Sequence, residues 1–82
     1  MPIETEQQEI LESNEFFYDP RKMIYINAEL RKVFSFEAIQ DHDLTWLREK
    51  ISEPNEDQSW IFYFNEQPSE RVRGDLIDYL EG

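Results

Sequence analysis

The residues best suited to chemistry in this chain are its carboxylates and one histidine. Asp41-His42-Asp43 sets a single imidazole between two acids, a combination that can ligate a divalent cation or act as a buffered base. No second His and no Cys is present to complete a ligand set. An acid at this place also suits the start of a helix, so the triplet reads first as a solvated cap. Paired-carboxylate hydrolysis needs two acids held in different environments within one cleft, and with nineteen acids spacing selects no pair. The chain has no Gly-rich phosphate loop and no Gly-x-Ser-x-Gly elbow; its glycines are Gly74 and Gly82. These features predict a protein that is not an enzyme and uses no metal or cofactor.

The acids carry the stronger signal. Nineteen Asp and Glu face eight Lys and Arg, a net charge of −11, beyond the magnitude of 2–8 usual for a small soluble domain. The charge is segregated: Glu4, Glu6, Glu9, Glu12, Glu15 and Asp19 precede the first basic residue, while residues 53–82 hold eight acids against Arg71 and Arg73. The intervening segment is balanced. Such a field repels nucleic-acid phosphates and anionic membranes and attracts basic partners in a salt-dependent way. Direct nucleic-acid binding is disfavoured, and so is a membrane surface. Asp75 and Asp78 stand at i, i+3 on a predicted final helix, and carboxylates one turn apart lie on the order of 5 Å from each other. With Glu53, Glu56 and Asp57 of an acidic loop they can imitate a short run of phosphates, although Arg71 shares the helix face and dilutes the imitation.

These acids must be positioned by a fold, and twelve aromatic residues argue that there is one. Residues 1–14 read as an acidic arm or short helix, disordered at its start, with residues 15–82 as one compact domain. Glu15-Phe16-Phe17-Tyr18 and Lys22-Met23-Ile24-Tyr25-Ile26 flank Asp19-Pro20-Arg21, which predicts a hairpin. Phe16-Phe17-Tyr18 between Glu15 and Asp19 also resembles an acidic-aromatic docking peptide, a reading given less weight than a strand. Over residues 31–39 the alternation of Phe34, Phe36 and Ala38 with Ser35 and Glu37 favours a strand over a helix capped by Asn27. Residues 41–51 begin with capping-type acids and place Leu44, Leu47 and Ile51 on one helix face, and Ser69 caps a last helix with the stripe Val72, Leu76, Tyr79, Leu80.

The sum is an α+β chain: a small antiparallel sheet of three to four strands with two helices, one of them C-terminal, packed on one face. Along Trp60-Ile61-Phe62-Tyr63-Phe64 the Trp and both Phe point one way while Ile61 and Tyr63 point the other, so the second face is apolar too. If that strand is an edge, it is either covered by the N-terminal arm or available for docking.

In size and acidity the chain is similar to phage-type inhibitors of DNA-handling systems and to bacterial immunity proteins that block basic nucleases. The likeness is one of composition and transfers no residue. It implies an acidic protein-binding module, an inhibitor that occupies a basic nucleic-acid-binding surface; the charge pattern itself, not the likeness, points to Glu53, Glu56, Asp57, Asp75 and Asp78 as the residues that do so. The alternative is a structural or assembly subunit that docks or homodimerises through Ile61 and Tyr63. The longest apolar run, Trp60 to Phe64, is far short of the roughly 20 residues that span a bilayer, and no basic export segment precedes the acids, which predicts a cytoplasmic location.

Overall fold

The computed structural model describes residues 3–82; the disorder expected at the first residues lies, for residues 1 and 2, outside them. In chain order the elements are α1 (Thr5–Ser13), β1 (Phe17–Asp19), β2 (Ile24–Asn27), β3 (Lys32–Ser35), α2 (Phe36–Asp41), α3 (Leu44–Ser52), β4 (Ile61–Tyr63) and α4 (Glu70–Glu81). The fold is α+β with a four-stranded sheet in the order β1-β2-β3-β4.

Two four-residue turns build the antiparallel part. Asp19 Oδ1 accepts from Arg21 N–H (2.9 Å), Asn27 Oδ1 accepts from Leu30 N–H (2.9 Å), and Met23 and Arg31, which close the two turns, both have φ of 56°. Side-chain carbonyl and carboxylate oxygens that capture a backbone N–H nearby are what makes Asp and Asn turn formers. The last pairing differs from the expectation: β4 runs parallel to β3, with Val33 opposite Phe62, so the sheet is mixed. A parallel partner needs a long crossover, and α2 with α3 supplies it.

Helix α2 is a second correction. The aromatic alternation ends at Ser35, whose Oγ accepts from Ala38 N–H (3.0 Å) and starts a helix where a strand was expected. A capping Ser three residues before a buried turn outweighs the strand preference of Phe36. The third correction concerns the layers: helices cover both faces of the sheet. Phe16, Tyr25 and Phe34 point to one side and pack with Leu11, Ile39, Leu47 and Ile51 of α1, α2 and α3. Ile24, Val33, Trp60 and Phe62 point to the other, under Leu76, Ile77 and Leu80 of α4. Strand alternation forces this division. On α4 the packed stripe is Leu76, Ile77 and Leu80, while Val72 and Tyr79 of the expected stripe are exposed.

Candidate functional site

The Asp41-His42-Asp43 triplet is taken apart by its surroundings. Asp43 Oδ1 caps α3 through Trp46 N–H (2.9 Å), and Asp41 Oδ2 accepts from Asn65 Nδ2 (2.6 Å). His42 Nδ1 lies 2.8 Å from Ala38 O, which makes it the protonated nitrogen, and the ring stacks on Trp46 with centroids 3.9 Å apart. The three side chains point to three different partners. Among the described residues no group of three His, Asp or Glu side chains could hold a metal ion, and no helix is long and apolar enough to cross a membrane.

The cations explain the surface better than the acids do. Lys32 is 1% exposed, and its Nζ donates to three carbonyls at the end of α3: Lys50 O (2.8 Å), Ile51 O (2.8 Å) and Glu53 O (2.5 Å). Carbonyls of the last helical turn have no partner within the helix, and a cation there also meets the negative end of its dipole. Burial pulls the Lys32 ammonium below its ordinary pKa, and the Glu53 carboxylate opposes that shift. Arg31 pairs with Glu81 (3.0 Å), and Lys50 pairs with Glu53 (3.0 Å) and Glu49 (3.7 Å). Arg73 donates to Trp60 O (2.8 Å) across the Phe62 ring, and Lys22 lies 5.1 Å from the centre of the Tyr79 ring. Five of the eight cations thus face groups of the fold itself. Among the described residues, ion pairs engage only Glu49, Glu53 and Glu81 of the nineteen acids.

The five acids singled out from the sequence fall in three settings. Glu53 ends α3, half-buried, with its carboxylate on Lys50 and its carbonyl on Lys32. Glu56 and Asp57 are exposed in the loop before β4, which Asn55 Nδ2 ties down through Leu30 O and Ser59 O (both 2.9 Å). Asp75 and Asp78 are exposed on α4, while Glu81 of that helix accepts from Trp60 Nε1 (2.9 Å). Among the described residues no hydrogen bond or ion pair joins the loop acids to those of α4.

Ile61 and Tyr63 are half-buried. Tyr63 stacks on Phe34 (centroids 4.5 Å, 14° between planes) and its hydroxyl is buried without a partner among the described residues. Burial, with a smaller contribution from the Glu53 carboxylate, pushes its pKa up to about 12. β4 is an edge strand, but its edge is occupied. Ile61 N–H donates to Arg31 O (2.9 Å), so the carbonyls of Trp60 and Phe62 turn outward, where the Arg73 guanidinium (2.8 Å) and the Gln67 amide (3.0 Å) take them. Blocking outward carbonyls with side chains is one way proteins prevent strand addition.

The opposite edge is open, a feature the sequence analysis did not assign. Phe36 N–H donates to Met23 O (3.0 Å), which fixes the phase of β2: Tyr25 and Asn27 turn their peptide groups to β3, Ile24 and Ile26 to β1. Phe17 and Asp19 therefore bond β2, and Tyr18 turns both its N–H and its C=O outward. Phe17 is 74% exposed beside Ile26, because α4 meets β1 only at its Asp19 end, through Tyr79; together with Glu15, Asn27, Ala28 and Glu29 they line a groove of about 400 Å³. The aromatic run flanked by acids was the available signal, but it does not say which ring stays outside.

No protein-family model, curated protein or solved structure matches this chain.

Proposed function

We propose that this protein is a non-enzymatic acidic binding module that occupies a basic surface of a partner protein, of the type that otherwise holds nucleic acid. The observation that carries this reading is the fate of the cations. Lys32 sits inside, Arg31, Lys50, Arg73 and Lys22 face the fold's own acids, carbonyls and rings, and Glu56, Asp57, Asp75 and Asp78 lie outside without a counter-ion among the described residues. A surface of that kind attracts Lys and Arg over about a Debye length, roughly 8–10 Å at moderate salt, and attraction weakens as salt rises. Competition is the mechanism: carboxylates take the places of phosphates.

Docking or homodimerisation through Ile61 and Tyr63 has less support, since the outward carbonyls of that strand are already taken. The test is affinity capture from native lysate, with elution by a salt gradient and, separately, by duplex DNA. A basic nucleic-acid-handling protein released by both, and held less by the Asp75→Lys/Asp78→Lys variant, is the expected result. Capture only of the protein itself, or of a partner that resists salt and DNA alike, overturns the reading.

A further inference from the structure

The two edges of the sheet are not equivalent. At β4 the outward carbonyls are bound by Arg73 and Gln67; at β1 the outward N–H and C=O of Tyr18 have no hydrogen-bond partner among the described residues. Beside that open pair lies an apolar step, Phe17 against Ile26, and carboxylates of Glu15 and Glu29 line the same groove with no basic residue among its walls. A second hollow of about 230 Å³ continues past Glu15 and Glu29 to Ser13 and Leu30.

We propose that the outer edge of β1 takes up an extended segment of a partner protein, one that presents an apolar side chain to Phe17 and a Lys or Arg to Glu15 and Glu29. The inference rests on the reading of this protein as a binder of basic partners, and it names where one such contact is made. The geometry sets the pattern. In an antiparallel addition the residue opposite Tyr18 exchanges two main-chain hydrogen bonds, its neighbour stands against Phe17, and the residue two further on passes beyond the end of β1, over the groove that Glu15 and Glu29 line. Main-chain bonds supply affinity and alternate side chains supply selection, as in other strand-addition complexes. A second copy of this chain fits less well: paired antiparallel about Tyr18 it sets Pro20, which has no N–H, opposite Phe16, whose N–H is already bonded to Leu11 O, and each copy carries a net charge of −11.

The test is a titration of the ¹⁵N-labelled protein with the acetylated, amidated peptide Ser-Thr-Leu-Thr-Arg-Thr-Arg-Ser. A control peptide has Pro in place of the Thr before Leu, keeping every charge but losing the N–H that would bond Tyr18. The expected result is a shift of the Tyr18 amide with slowed hydrogen exchange there, and binding roughly tenfold weaker for the Pro peptide and for the Phe17→Ser variant. Phe17 is exposed, so that variant keeps the fold; Glu15→Gln/Glu29→Gln should weaken binding in a salt-dependent way. Equal binding of both peptides, with shifts spread over Glu56, Asp57, Asp75 and Asp78 and none at Tyr18, overturns the β1 proposal while leaving the general acidic reading intact. A Tyr18 shift that grows with protein concentration in the absence of peptide overturns it in favour of self-pairing. Absence of binding by either peptide also overturns it, and the capture experiment then decides the broader reading separately.

Discussion

The two faces of the sheet are held in different ways. On the side of α1, α2 and α3, Leu11, Phe34, Ile39 and Leu47 are completely buried, and a polar residue is locked among them: Gln7 accepts from Glu4 N–H (3.1 Å) and donates to Ile39 O (2.9 Å) and His42 O (3.0 Å). That glutamine ties the acidic N-terminal helix to the end of α2. On the other side no residue of α4 is fully buried. Leu76, Ile77 and Leu80 rest on the sheet, and polar links hold the helix ends: Trp60 and Arg31 to Glu81, Arg73 to Trp60 O, and Tyr79 Oη to Asp19 (2.5 Å). On one face helices and strands both contribute buried residues; on the other the buried residues, Ile24, Val33, Trp60 and Phe62, lie outside α4, which adds half-buried side chains and hydrogen bonds. The less a helix buries, the more of its circumference stays available for charge, and α4 carries Asp75 and Asp78 on that account.

The contrast can be broken most directly by paired truncations. Phe34→Ala removes a ring packed against Phe16, Trp46 and Tyr63 and should cost about 3–5 kcal/mol in urea unfolding. Leu76→Ala, half-buried, should cost about 1–2 kcal/mol. Equal losses would show that the two faces are held alike. Next in size is Lys32→Met, which keeps the side-chain volume and strands three carbonyls at the end of α3; a loss of about 2–3 kcal/mol is expected. A neutral result would mean that water or the loop replaces the ammonium.

Hydrogen exchange sharpens the comparison. Amides of α4 should exchange faster than those of α3 under native conditions, through openings that leave the first face intact. Trp46 and Trp60 report the two faces separately, since one packs with each cluster, so Trp46→Phe and Trp60→Phe variants let fluorescence follow either layer alone.

The smallest effect carries a pH signature. Tyr63→Phe deletes a buried hydroxyl without a partner and should be neutral or stabilising by about 1 kcal/mol near neutral pH. The folded-state pKa of Tyr63 is raised from 10.0 to about 12. Between those values the folded protein holds a proton that the unfolded chain has lost, so the stability gained by keeping Tyr63 neutral is complete below pH 10 and lost as pH climbs toward 12. The variant should lose less stability over that window in unfolding titrations; an unchanged alkaline slope would assign the loss to other groups, Tyr25 among them, whose pKa burial also raises.

What the sequence displays and what it hides follow from the range of the interactions. The hairpin, the helix after Asp43 and the helix after Ser69 are local, written in a turn residue or a cap followed by apolar spacing, and they are legible. Helix α2 was masked because Phe34, Phe36 and Ala38 fit a strand period, with the Ser35 cap as the one opposing signal. The parallel pairing of β3 with β4 depends on contacts between residues about thirty positions apart and leaves no local mark. Val72 and Tyr79 fit the helical stripe but fall outside the strip of α4 that meets the sheet. The groove at β1 is hidden for the same reason: α4 reaches the first strand at Asp19, through Tyr79, and leaves Phe17 at its other end outside.

Buried Lys32 also decides how the molecule can be handled. The chain has three lysines: one is enclosed, and Lys50 is gripped by Glu53, which raises its pKa. Among the lysines an amine-reactive surface or dye will therefore favour Lys22, in the turn that follows β1. Attachment there anchors the molecule by the hairpin whose outer edge is open, and Lys22→Arg removes that anchor while keeping the charge.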